Sequence, residues 1–398
     1  MIPEIREKFN KAFTTEKYEG FKEGLRAMYN LKPNFREAET PFFIPSLLKD
    51  RLLEACEQIT EIILRPDLKE ISQGALYDET VIVPNEDTHT TFLQMDFGVC
   101  LDEAGDPFPM LIEIQGFPSV YFFQYMASKT YKKYYDLPEN LTPYFNGYND
   151  ATFKDLLYNI IVGDTNPKNV IILEIEPELQ NTYIDLLSTS VELGIAVVCV
   201  TKVIKEGKRL FYIDNSGQKQ RIERIYNRVI FDELNQRKDL AMQFSFSDDL
   251  DVKWIGHPNW FFRISKYIMP FLKNKYVPET YFLKELNELP ADLDNFVLKP
   301  LFSFAGAGVI IDVTREDIDA IEDKSNYILQ RKVHYEPVLK SPNDPVKVEV
   351  RMLMIWPEND PKPHVAVNLV RLSKGKMIGV KYNKDKDWVG GSVGFYEG

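Results

Sequence analysis

Two stretches of strict alternation carry the strongest pattern in the chain. In Phe92-Leu-Gln-Met-Asp-Phe97, Gln94 and Asp96 fall on one face and Leu93, Met95 and Phe97 on the other. In Met110-Leu-Ile-Glu-Ile-Gln115, Glu113 and Gln115 share a face opposite Ile112 and Ile114. The connection Asp102-Glu-Ala-Gly-Asp-Pro107 is dense in turn formers, so the two strands read as a hairpin. A turn centred between Ala104 and Gly105 sets Asp96 opposite Glu113 and Gln94 opposite Gln115. Carboxylates facing each other across a ladder repel and call for a compensating charge, which an oxygen-ligated divalent cation supplies. The plainer reading is the solvated polar face of an edge hairpin.

Elsewhere the pattern predicts mixed α and β structure. Residues 1 to about 70 are helix-forming, with helical periodicity clearest from Leu47 to Leu64. A Tyr-rich helix is expected over Val120–Tyr135, and the Asn- and Gly-bearing stretch Pro143–Asp150 reads as a linker. Asn169–Ile175, Leu179–Leu193 and Ile195–Val200 read as strand, helix and strand, a βαβ unit with a parallel pair. Glu176-Pro-Glu178 stands where a dinucleotide fold places glycines, which argues against NAD or FAD. A hairpin is expected from Leu210–Asp214 and Ile222–Tyr226, turned at Asn215-Ser-Gly217, and Tyr226-Asn-Arg228 forms a polar cluster after it. Further on, Asn295–Pro300, Val309–Val313, Tyr327–Val333, Val348–Ile355 and His364–Arg371 read as strands, with a helix capped by Thr314 and Asp317. Trp388–Gly394 reads as a terminal loop.

Composition narrows the class. The 398 residues allow two or three structural units, and a net charge of -12 argues against nucleic acid and anionic membranes as partners. It is compatible with a cationic substrate such as a polyamine. No run resembles a signal peptide or a membrane span. Cys56, Cys100 and Cys199 read as buried, reduced residues of a cytoplasmic protein. The four histidines have no metal-ligand spacing, which argues against a zinc site or a Ser-His-Asp triad.

The last third carries a second chemistry. Lys299 at a strand end precedes Phe302-Ser-Phe-Ala-Gly-Ala-Gly308, where Gly306 and Gly308 permit backbone N–H groups to approach a phosphate. Lys266 is a second phosphate candidate. An edge at Gln330, Arg331, Lys332 and Val333 could hydrogen-bond an adenine, and Glu336 could take ribose hydroxyls.

This order of parts resembles the ATP-grasp superfamily, in its circularly permuted branch typified by glutathionylspermidine synthetase. The resemblance runs from about residue 90 to the C-terminus and rests on Met95-Asp-Phe97, Leu111-Ile-Glu-Ile-Gln115, Pro118-Ser119 and Lys299-Pro300 with its glycine loop. It implies a mixed α+β and α/β chain. The parts would be an N-terminal helical region (1–88), metal-binding strands (89–140), a Rossmann-like pre-ATP-grasp unit (150–256) and an ATP-binding part (257–398). It implies Asp96, Glu113 and Gln115 as Mg²⁺ ligands, and Lys266, Lys299, Ser303, Gly306, Gly308, Gln330, Arg331, Val333 and Glu336 around ATP. Gly390-Gly391-Ser392 resembles the family's acceptor-side turn.

Two positions depart from the family. Gln115 replaces an asparagine, and Gln94 replaces an arginine that helps hold the transferred phosphoryl group. Arg351 or Arg371 would supply that charge from a neighbouring strand, which makes Gln94, Arg351 and Arg371 the candidate catalytic positions. The implied activity is an ADP-forming ligase joining a carboxylate to an amine through an acyl phosphate. The alternative is a relative that binds nucleotide or ligand without ligation.

Overall fold

The computed structural model describes residues 1–303, 306–375, 378, 383 and 385–398. The alternating hairpin lies inside a five-stranded sheet ordered Gly390–Ser392, His364–Ser373, Lys347–Ile355, Phe92–Leu101, Pro107–Gln115. All of its pairings are antiparallel. The Asp96 strand is therefore interior. Its polar face is buried, with Gln94 1% and Asp96 3% exposed, so the solvated reading fails for this strand, whereas Pro107–Gln115 is the sheet edge and the Glu113 side chain is 31% exposed.

A second sheet is parallel throughout, in the order Lys253–Ile255, Arg224–Asn227, Val170–Glu174, Ala196–Cys199. The helix Tyr183–Leu193 makes the expected crossover between the last two strands. The run expected as one hairpin strand, Ile222–Tyr226, divides at Glu223. Lys219–Ile222 pairs with Arg209–Ile213, whereas Arg224–Asn227 joins the parallel sheet. Glu223 is held by backbone bonds to Asn169 and Lys253, which turns the chain from one sheet into the other.

The third unit is a smaller antiparallel sheet ordered Thr280–Phe282, Tyr327–Arg331, Phe296–Pro300, Ile310–Ile311. The Thr314–Asp317 capping box opens a helix at Arg315, as the sequence predicts. Three apolar cores follow this division. The largest lies under the five-stranded sheet and its helices Ser46–Ile63 and Tyr121–Tyr134, and smaller cores lie with the parallel sheet and the third sheet.

Three expectations are revised. The 143–150 stretch is not a free linker, because the Phe145 N–H bonds the Ala366 carbonyl and the Asn146 side chain bonds that of Val365. The terminal loop is sheet: Gly390–Ser392 pairs with His364–Ser373, and Gly394–Glu397 runs parallel to Phe42–Phe43. The helical N-terminal region is thereby tied to the C-terminus. Of the cysteines only Cys56 is fully buried, while Cys100 and Cys199 are half-buried. Among the described residues no helix is long and apolar enough to cross a membrane.

Candidate functional site

Asp96 pairs with Glu113 and Gln94 with Gln115 across the hairpin, as the alternation predicts. The route to this register differs from the expected one. The turn centres on Ala104, with Leu101 opposite Pro107, and Asp102 Oδ1 accepts from the Ala104 and Asp106 N–H groups at 3.0 and 2.9 Å. A bulge between Asp96 and Phe97 then leaves Ile112 without a ladder partner and restores the pairing. The freed Ile112 carbonyl accepts from Lys299 Nζ at 3.1 Å. One extra residue thus aligns the carboxylates and docks the lysine.

The compensating charge for Asp96 comes from arginine. Arg351 lies directly opposite Asp96 on the adjacent strand and donates Nε to Oδ1 at 2.5 Å and Nη2 to Oδ2 at 2.6 Å. Its Nη1 reaches Gln94 Oε1 at 2.9 Å, and Gln94 Nε2 donates to the Ser119 carbonyl at 3.2 Å. Arg371, one strand further, donates Nη1 to Asp96 Oδ2 at 2.9 Å and to Glu349 Oε1. Tyr335 donates its hydroxyl to Glu349 at 2.7 Å. Burial pushes the Asp96 carboxyl up, but Arg351 and Arg371 overcome this and hold it below the usual carboxylate range.

The lysines approach the Asp96–Glu113 pair from the edge-strand side. Lys266 opens the 3₁₀ helix Lys266–Phe271, donates to the Ser303 carbonyl at 2.9 Å and lies 3.7 Å from Glu113. Lys299 is lowered to about 8 by burial, with Glu113 the largest opposing influence. The edge strand holds this side through Leu111 and Gly116, whose N–H groups bond the Tyr276 and Ile264 carbonyls at 2.7 Å. Gly306 and Gly308 have φ of 75° and 71°, left-handed values suited to glycine. Phe304 and Ala305 between these parts lie outside the described residues.

The segment expected to meet an adenine is not a strand edge. Tyr327–Arg331 runs between two strands, and Gln330 pairs with Thr280 on one side and Val297 on the other. Gln330 is buried, and its Nε2 has no hydrogen-bond partner among the described residues. Arg331 turns away to Glu279 and Asp292, each at 3.0 Å. Beyond it, Val333 lies over Gly98, and the Glu336 N–H bonds the Val99 carbonyl, which leads the chain onto the Asp96 strand.

Glu349 and Tyr335 escaped sequence reasoning. Glu349 had a signal, since Glu349 and Arg351 share one face of an otherwise apolar strand just as Gln94 and Asp96 do. Tyr335 had none. The polar cluster at Arg228 is structural: it pairs with buried Asp185 at 2.6 Å, and Asp185 accepts from the Val120 and Phe123 N–H groups at the start of the Tyr121 helix.

The resemblance noted in the sequence implies Mg²⁺ at Asp96, Glu113 and Gln115. As arranged, these residues do not form a cage for it. Both Asp96 oxygens are held by guanidinium groups. Among the described residues, no group of three His, Cys, Asp or Glu side chains is placed to hold a metal.

No protein-family model matches the chain, and no curated protein matches it. Among solved structures it is similar to a glutathione synthetase-like effector from Globodera pallida, determined in its apo form. The TM-score is 0.59 at 10% identity, with 96% of each chain covered. The chain therefore has a glutathione synthetase-like fold.

Proposed function

We propose that the chain is an ADP-forming carboxylate–amine ligase that works through an acyl phosphate. The observation that carries this reading is the gathering of Lys266, Lys299, Arg351 and Arg371 around the paired carboxylates Asp96 and Glu113. The glutathione synthetase-like fold agrees with it.

In this scheme a substrate carboxylate oxygen attacks the γ-phosphorus of ATP and ADP departs. An amine nitrogen then attacks the acyl carbon, phosphate leaves and the nitrogen loses a proton. Such chemistry needs alignment and charge neutralisation rather than covalent help from side chains. Lys266 and Lys299 neutralise the phosphates, and Gly306 and Gly308 let backbone N–H groups approach them. Arg351 stands beside Gln94, where the family pattern has its own arginine, and with Arg371 it holds the transferred group. Divalent-ion chemistry belongs to the family pattern. The substrates are a small-molecule or peptide carboxylate and an amine, with a polyamine favoured by the acidic balance of the chain.

The test is ADP release by the full-length chain over a panel of amino acids, peptides and polyamines. Substrate-stimulated ADP is expected, with Lys299→Ala lowering the rate roughly 10²-fold or more. Release unaffected by Lys299→Ala would refute the assigned role. A second reading, nucleotide binding without ligation, is favoured by Gln94 together with the double capture of Asp96. Saturable ATP binding with no substrate-stimulated ADP would select it.

A further inference from the structure

The space between Asp96 and Glu349 is filled by guanidinium. One nitrogen of Arg371 donates to both Asp96 Oδ2 and Glu349 Oε1, the bridging position that a cation shared by two carboxylates would take. Arg351 adds a two-pronged grip on Asp96. We propose that Arg351 and Arg371 stand in place of the divalent cation, so that the chain binds a nucleoside triphosphate as its metal-free anion. The proposal rests on the nucleotide-binding reading above.

Charge supports the substitution. Arg351, Arg371, Lys266 and Lys299 face Asp96, Glu113 and Glu349, with Asp232 beside Lys266, so the carboxylates are already matched by cations without a metal. A magnesium ion would have to expel guanidinium groups from a carboxylate whose side chain is 4% exposed. Displacing a guanidinium from a buried pair of this kind leaves its charge uncompensated, which works against metal binding. The Arg371 side chain is 33% exposed, so the same group that bridges the carboxylates is also open to a ligand from solvent. Guanidinium matches phosphate oxygens without help from a metal.

The experiment is a calorimetric titration of the full-length chain with ATP, once with EDTA and once with MgCl₂, alongside the EPR signal of free Mn²⁺ as protein is added. The two dissociation constants are expected to agree within about threefold, and the Mn²⁺ signal to be unchanged. Arg371→Met should weaken ATP binding in EDTA about tenfold or more. The proposal is overturned if wild-type ATP binding is about tenfold tighter with magnesium, or if the chain holds Mn²⁺ and loses it in Asp96→Asn. It is equally overturned if Arg371→Met binds ATP in EDTA as the wild type does. Binding that needs magnesium defeats this inference alone. Binding under neither condition defeats the nucleotide reading with it.

Discussion

Arg351 grips Asp96 with two nitrogens in a pair whose side chains are only 7% and 4% exposed. A buried carboxylate that loses such a partner is left uncompensated in a low-dielectric setting, which costs more than the pair contributes. Arg351→Ala is therefore expected to destabilise the chain by about 3–5 kcal/mol, read from urea unfolding. Adding Asp96→Asn to it should recover part of the loss, because the orphaned charge is gone. A double variant whose loss is simply the sum of the two single losses would show that the pair is not coupled.

How far the sequence revealed this site depends on the kind of signal. Asp96 and Glu113 were legible because a two-residue period assigns faces whatever the exact turn. The bulge at Ile112 was not legible, since it repairs a half-residue offset that only the folded turn creates. The βαβ unit was legible from its apolar runs, but the split at Glu223 was not, because both halves of that run have strand character. The Gln330 segment has the composition of an exposed edge. Its interior place is set by the Thr280–Phe282 strand, a long-range pairing with no local mark.

Glu174 ends a central strand of the parallel sheet at 3% exposure, and burial pushes its carboxyl up to about 8. Between its ordinary value of 4.5 and about 8 the folded chain holds a proton that the unfolded chain releases. This contribution to stability is present below the lower value and is lost as pH rises through the upper one. Glu174→Gln keeps a neutral side chain throughout. It should lose less stability than the wild type between about pH 5 and about pH 8, by roughly 2 kcal/mol or more. Parallel stability curves for the two proteins would exclude the buried, protonated state.

Gly116 follows the edge strand where it meets the segment carrying Lys266. A Cβ there would sit 2.6 Å from the Trp260 carbonyl oxygen and 3.0 Å from Ile264 Cβ. The obstruction is backbone, so it cannot rotate away. Gly116→Ala should cost about 1–3 kcal/mol and move Glu113 relative to Lys266, weakening ATP binding as well as folding. Unchanged affinity in a destabilised variant would mean that the contact matters for folding alone.

Lys299 brings pH into the site. Burial lowers it to about 8, against an opposing influence from Glu113, and its ammonium rests on the Ile112 carbonyl. Between about 8 and its ordinary value near 10.5 the unfolded chain binds a proton that the folded chain has lost, so this group makes stability rise with pH in that window. Ligand binding has the opposite slope, because phosphate is attracted to the ammonium and not to the neutral amine. ATP affinity is therefore expected to fall by up to about tenfold between about pH 7 and about pH 9. Lys299→Arg keeps its charge across that range and should flatten the profile even if the longer fork binds less well. A wild-type profile equally flat would place the Lys299 ammonium away from the ligand's phosphates.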